Sequence, residues 1–237
     1  GSSNTDGSIN TTYTSVNTTA GFSIVSWTGS NANATVGHGL GVVPKMIIFK
    51  NRATATSWMV YHATQGATKF LRLNTTDAVG TGSTPFNDTA PTSSVFYVGA
   101  NGDTNGSSQA MIAYCFAEKK GYSKFGSYTG NGSSDGTFVY TGFKPAFLIV
   151  KNTTDNSTNW CLYDNKRDTS NPNSIIVLPN GSDADINASA INTDFLSNGF
   201  KLRNTDNDRN GSGDTFVYMA FASAPLVGTN NVPCTAT

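Results

Sequence analysis

The densest run of potential oxygen ligands is Asp206 to Asp214, DNDRNGSGD. Asp206, Asp208, Asn210 and Ser212 alternate along it, Gly211 is available for a sharp turn, and Asp214 adds a further carboxylate. Hard divalent cations collect oxygens from such loops. The spacing matches the start of a calcium loop, so Asp206, Asp208, Asn210, Ser212 and Asp214 are candidate calcium ligands. The match is incomplete. Such a loop closes with a bidentate glutamate at its twelfth position, and Val217 stands there. The alternative is a polar hairpin loop. A related stretch from Asn101, NGDTNGSSQ, keeps only Asp103 as an acid. No other cofactor is indicated.

Catalytic constellations are hard to assemble. Glu118 is the only glutamate, so a two-carboxylate hydrolase would have to use aspartates. Those aspartates mostly neighbour Gly, Asn, Ser or Thr, where Asp bonds its own backbone in turns. His38 and His62 are the only histidines, and both read as structural. No G-x-S-x-G elbow, P-loop or HExxH occurs. The chain is read as a non-enzyme.

Cys115 and Cys161 lie in apolar runs, where a free thiol acts as a small hydrophobe, and Cys234 is the odd third. No disulfide framework or zinc site is expected. Asn-x-Ser/Thr triplets, as at Asn10 and Asn187, follow from the composition. Trp58 and Trp160 occupy matching places and could stack sugars, but matched aromatics more often pack a core. Trp27 is matched by Tyr128, which also suggests packing.

These matches belong to an internal repeat. Ser26-Trp27-Thr28-Gly29 recurs as Ser127-Tyr128-Thr129-Gly130, Pro44 as Pro145, and Lys50-Asn51 as Lys151-Asn152, all at an offset of 101. Phe96 recurs as Phe200 at 104, and Asn105-Gly106-Ser107 as Asn210-Gly211-Ser212 at 105. The order never breaks, and loop insertions explain the drift.

Short runs of β-branched and aromatic residues, bounded by Gly, Asn, Pro or Ser, predict strands throughout. Asn105-Gly106 and Asn210-Gly211 predict tight hairpins. These would pair Val95–Val98 with the strand from Gln109, and Phe200–Arg203 with the strand from Thr215. The best helix candidate is Asp183 to Phe195. MIIF, AFLIV, MIAYCFA and FVYMAFA are apolar at consecutive positions, which predicts cover on both faces. Packing of the two halves together, or oligomerisation, would supply it. The long connections Asn74 to Ser94 and Pro179 to Asn198 are either a recognition surface or a packed cover over the core.

The expected fold is all-β, with two tandem homologous β-sandwich, jelly-roll-like units packed together. Residues 1–20 form an extended connector, 21–119 and 120–225 the two repeats, and 226–237 a tail. The opening GSSNTDGS reads like the interior of a longer protein, a processed product or an expression scar. Charged residues are 13% and the formal net charge is zero, so neither nucleic acid nor an anionic membrane is an expected partner. No apolar run approaches the roughly 20 residues of a membrane span.

Four strings carry a resemblance: GHGLGVVPKMIIFKNR from Gly37, YCFAEKKGYSKFGSYTGNG from Tyr114, DGTFVYTGFKPAFLIVKN from Asp135 and FLSNGFKLR from Phe195. Together they resemble a duplicated, uncharacterised domain in virion proteins of marine tailed phages, over roughly residues 4–225. The resemblance implies a structural, tail-fibre-like or capsid-associated protein at the virion surface. Its partners would be copies of itself, other virion proteins, or a host surface glycan or protein. It supplies no catalytic or binding residues. The other readings are a carbohydrate-binding module of a secreted bacterial protein and a subunit of an extracellular filament or coat.

Overall fold

The computed structural model describes residues 1–223. The expected tail at 226–237 and Cys234 lie outside them. The fold is all-β and divides into two compact units.

The first unit comprises residues 1–73 and 79–118. Its strands are β1 (Tyr13–Asn17), β2 (Phe22–Thr28), β3 (Ala34–Gly37), β4 (Met46–Asn51), β5 (Met59–His62), β6 (Lys69–Arg72), β7 (Gly80–Thr81), β8 (Val95–Val98) and β9 (Ala110–Phe116). A helical turn, α1 (Gly102–Asn105), precedes β9. Seven strands form an antiparallel sheet in the order β1-β2-β9-β4-β5-β6-β7, and β3 pairs with β8. In β2, Ser23, Val25 and Trp27 are buried while Phe22, Ile24 and Ser26 are half-buried, the period-two pattern of a strand. The core joins Trp27, Phe49 and Met111 of the large sheet to Val36, Phe96 and Val98 of the small one. Trp27, Phe49 and Phe96 meet edge to face at 5.3–6.5 Å. Each ring removed from water stabilises the unit by roughly 2–3 kcal/mol.

The second unit comprises residues from 119 onward together with 74–78. Its strands are β10 (Ser123–Thr129), β11 (Phe138–Tyr140), β12 (Pro145–Asn152), β13 (Trp160–Asp164), β14 (Ile175–Ile176), β15 (Ile186–Asn187), β16 (Thr193–Leu196), β17 (Gly199–Leu202) and β18 (Thr215–Ala222). A helical turn, α2 (Asn207–Asn210), precedes β18. The sheets run β10-β18-β12-β13, β11-β17-β16 and β14-β15. The first order matches β2-β9-β4-β5 of the other unit, strand for strand. The core joins Leu148, Val150, Phe216 and Tyr218 to Val139, Phe195, Phe200 and Leu202.

Several expectations are corrected. The Asn-Gly pairs make no hairpins. Asn105 and Asn210 end helical turns, and the following Gly106 and Gly211 have φ of −56° and −52°. β8 therefore pairs with β3, not β9, and β17 pairs with β11 and β16, not β18. The expected helix over Asp183–Phe195 is β15, a single 3₁₀ turn at Ser189–Ile191, and part of β16. Its Asn and Ser content gives little helical propensity, and strand pairing prevails. Residues 1–20 include an edge strand, because β1 pairs with β2 along its whole length. MIAYCFA is not covered equally on both faces. Met111, Ala113 and Cys115 are buried, whereas Ile112, Tyr114 and Phe116 are half-buried. FVYMAFA is buried at Phe216 through Ala220, on both faces. Both long connections carry cover for the cores: Phe86 joins the first, and Ile191 and Phe195 join the second.

Candidate functional site

The five candidate calcium ligands surround α2, but their oxygens are directed to separate protein partners. Asp206 is the N-cap: its Oδ1 accepts from the Asp208 amide at 2.8 Å and lies 2.9 Å from the Arg209 guanidinium. Asp208 accepts from the backbone amide and the side-chain amide of Asn159 at 2.9 and 3.0 Å. Asp214 accepts from Asn152 Nδ2 at 3.0 Å. Asn210 is fully buried. Its Nδ2 donates to the carbonyls of Asn204 and Ser133 and to Asn131 Oδ1, and its Oδ1 accepts from the Asn131 amide. Ser212 is exposed. Among the described residues, no three His, Cys, Asp or Glu side chains are grouped to hold a metal ion. The alternation suited to a metal loop instead fastens a helical turn to β12, β13 and the chain after β10.

The first unit has the same clamp with fewer charges. Asn101 caps α1, Asp103 accepts from the Ser57 amide, and buried Asn105 holds Ser30 and Ala32. Glycines permit the close approach. A Cβ on Gly29 would lie 2.2 Å from the Gly106 carbonyl oxygen, and one on Gly130 2.2 Å from that of Gly211. A side chain at either place would separate the turn from the strand end.

The remaining reactive groups are also built in. Leu40 donates its amide to His38 Nδ1, and His38 Nε2 lies 3.2 Å from the Thr92 carbonyl. Burial lowers the His38 pKa from its ordinary value. His62 Nδ1 lies 2.9 Å from the Thr64 hydroxyl. Burial pushes both Cys115 and Cys161 up to about 12, so neither is a thiolate near neutral pH. Arg209 sits 3.2 Å from Cys161 Sγ, and its carbonyl accepts from the Tyr128 hydroxyl at 2.6 Å. Trp160 is 1% exposed, and Trp58 stacks on Tyr114 with Lys50 Nζ 5.7 Å from its ring centroid. Trp160 is buried in the second unit, and Trp58 is half-buried between Tyr114 and Lys50.

Lys151 is fully buried on β12. Its ammonium donates to the Thr158 carbonyl at 2.8 Å, the Thr158 hydroxyl at 2.9 Å and the Thr76 carbonyl at 3.3 Å. Those three acceptors match the three N–H bonds of an ammonium. Lys50, at the matching place, is half-buried and donates to the Thr56 carbonyl.

A surface feature was missed in the sequence. β11 places Phe138 and Tyr140 outward, 43% and 64% exposed, on either side of buried Val139. Lys201 lies opposite Phe138 on β17. Its Nζ is 2.6 Å from Asp135, and Arg203 bridges Asp135 and Asp194 at 3.3 and 2.6 Å. Arg203 also lines a cleft of about 300 Å³ with Ser134, Ser189, Asn204, Thr205 and Asp206. In the first unit, the matching β3 residues are Thr35 and Gly37. Comparing Phe-Val-Tyr with Thr-Val-Gly would have exposed the difference.

No helix among the described residues is long and apolar enough to cross a membrane. No curated protein and no solved structure matches the chain. One family model, described as a domain of unknown function (DUF7483), matches residues 1–225, and the chain belongs to that family.

Proposed function

We propose that this protein is a structural component of a phage virion surface, tail-fibre-like or capsid-associated, presenting rigid loops for assembly or host attachment. One observation carries the reading. The side chains with most chemical potential (Asp206, Asp208, Arg209, Lys151 and the paired asparagines) are committed to bracing loops against strands. Such bracing suits presentation, because ordering a loop before contact lowers the entropic cost of binding. The likeness of four sequence strings to tailed-phage virion domains points the same way.

In this reading the two units are tandem β-sandwiches of jelly-roll type, and the protein works outside the cell, assembled with its own copies or with other virion proteins. Cryo-electron microscopy of assembled phage particles, purified from a phage that encodes this chain, tests it. The expected result is repeated density for two β units on the particle exterior. Particles lacking the chain, or turnover of a polysaccharide by the purified protein, would overturn it.

A further inference from the structure

We infer that the second unit carries a binding surface for neutral carbohydrate, with Phe138 and Tyr140 as a stacking platform and the adjoining cleft as its polar subsite. This deepens the attachment reading above and rests on it.

The platform follows from strand geometry. Side chains two apart share a face, so the rings of Phe138 and Tyr140 project together while Val139 enters the core. The counterpart edge in the first unit is sealed by its own chain. Ile9 donates its amide to the Thr35 carbonyl at 3.0 Å, and Ser8 exchanges bonds with Thr35 at 2.8 and 2.9 Å. That cover requires small residues beneath it: a Cβ on Gly37 would lie 1.8 Å from Asn4 Oδ1. Tyr140 stands at the matching place, and the second unit has no counterpart of the arch, because β9 ends at Phe116 and β10 begins at Ser123. Where the first unit has a sealed edge, the second has two exposed rings.

The charge balance selects the ligand. Lys201 and Arg203 are paired with Asp135 and Asp194 along this rim, and Asp206 of the cleft is paired with the buried Arg209. Two cations and two carboxylates, with Asp206 neutralised from beneath, leave no net charge to attract a polyanion or polycation. They do leave a rim of paired donors and acceptors, together with the hydroxyls of the cleft. A neutral sugar chain offers C–H faces to aromatic rings and hydroxyl groups to such a rim. The competing occupant is an extended peptide added to the β11 edge, including one from a second copy.

Affinity electrophoresis of the full chain tests this, in gels containing dextran, laminarin, xylan or hydroxyethyl cellulose, with heparin and alginate as charged controls. At least one neutral polymer should retard the protein, and the charged ones should not. Phe138→Thr and Tyr140→Ala should each weaken retardation roughly tenfold or more, as loss of an aromatic anchor does, with unchanged thermal melts. Tyr140→Phe should keep most of it, because the ring face makes the contact. No retardation by any neutral polymer, or retardation that survives in the double variant, overturns the inference. So does a lower native mass in Tyr140→Ala, which would make the edge a contact between copies. Particle imaging tests the virion reading separately, so its failure is distinguishable from a failure of sugar binding.

Discussion

Lys151 should make the stability of the second unit rise with pH over a range where most proteins lose stability. The ammonium is fully buried, and that desolvation is the main cause of its pKa falling from 10.5 to about 8. Asp208, Cys161 and Asp77 oppose the fall without cancelling it. At about 1.4 kcal/mol per pH unit, the fall sets a ceiling of roughly 3 kcal/mol on the cost of holding the charge in place. Below pH 8 both folded and unfolded chains carry the proton, so the full cost applies. Between 8 and 10.5 the folded chain releases the proton while the unfolded chain keeps it. The unfolded state then binds more protons, and stability increases with pH. Above 10.5 neither form is charged and the cost is gone.

The measurement is urea unfolding of the protein and of Lys151→Met, followed by tryptophan fluorescence between about pH 7 and 10. Methionine keeps the unbranched stem and removes the titration. The difference between the two proteins reports Lys151 and its coupling to Cys161, because Cys115, Tyr128 and Tyr163, all raised by burial, contribute alike to both. The original protein should gain on the variant by about 1 kcal/mol per pH unit above pH 8. A difference that stays flat to pH 10 refutes the reasoning. It would mean that the acceptors from Thr158 and Thr76 offset desolvation completely.

Three further outcomes follow from the clamps. Asn105→Ala and Asn210→Ala should each destabilise their own unit by about 2–4 kcal/mol in urea titrations, since each strands several buried polar groups. Gly29→Ala and Gly130→Ala should cost about 3 kcal/mol each, visible as lowered melting temperatures, because the added methyl meets a carbonyl oxygen at 2.2 Å rather than a side chain that can move. Millimolar calcium should leave the melting temperature unchanged, because Asp206, Asp208 and Asp214 are bonded to separate groups; a rise of several degrees would show that α2 rearranges into a metal loop.

What could be read in advance depended on how far each feature reaches along the chain. β2, β4, β9, β12 and β18 were legible because their β-branched, aromatic and long apolar runs are local. The clamps were not. Asn-Gly has a local preference for a hairpin, yet Asn105 is drawn into a helical turn because its side chain satisfies Trp27, Ser30 and Ala32, which lie far away in sequence. Asp206 to Asp214 looked like a metal loop for the same reason. The oxygens were visible, but Asn152, Asn159 and Arg209, which occupy them, are identified only by the fold. The β11 surface exposes the opposite ambiguity. Phe and Tyr have the same composition signal in a core as on a rim, and an apolar residue on an edge strand carries no mark of what covers it. In the first unit the matched edge lies under the chain's own beginning, whereas β9 runs into β10 between Phe116 and Ser123 and leaves no such segment for the second unit. The internal repeat supplies a reference: matched residues that keep their chemistry, as Asn105 and Asn210 do, make the same bonds to the chain after β2 and β10, and Thr35 and Gly37 against Phe138 and Tyr140 mark where the two units differ.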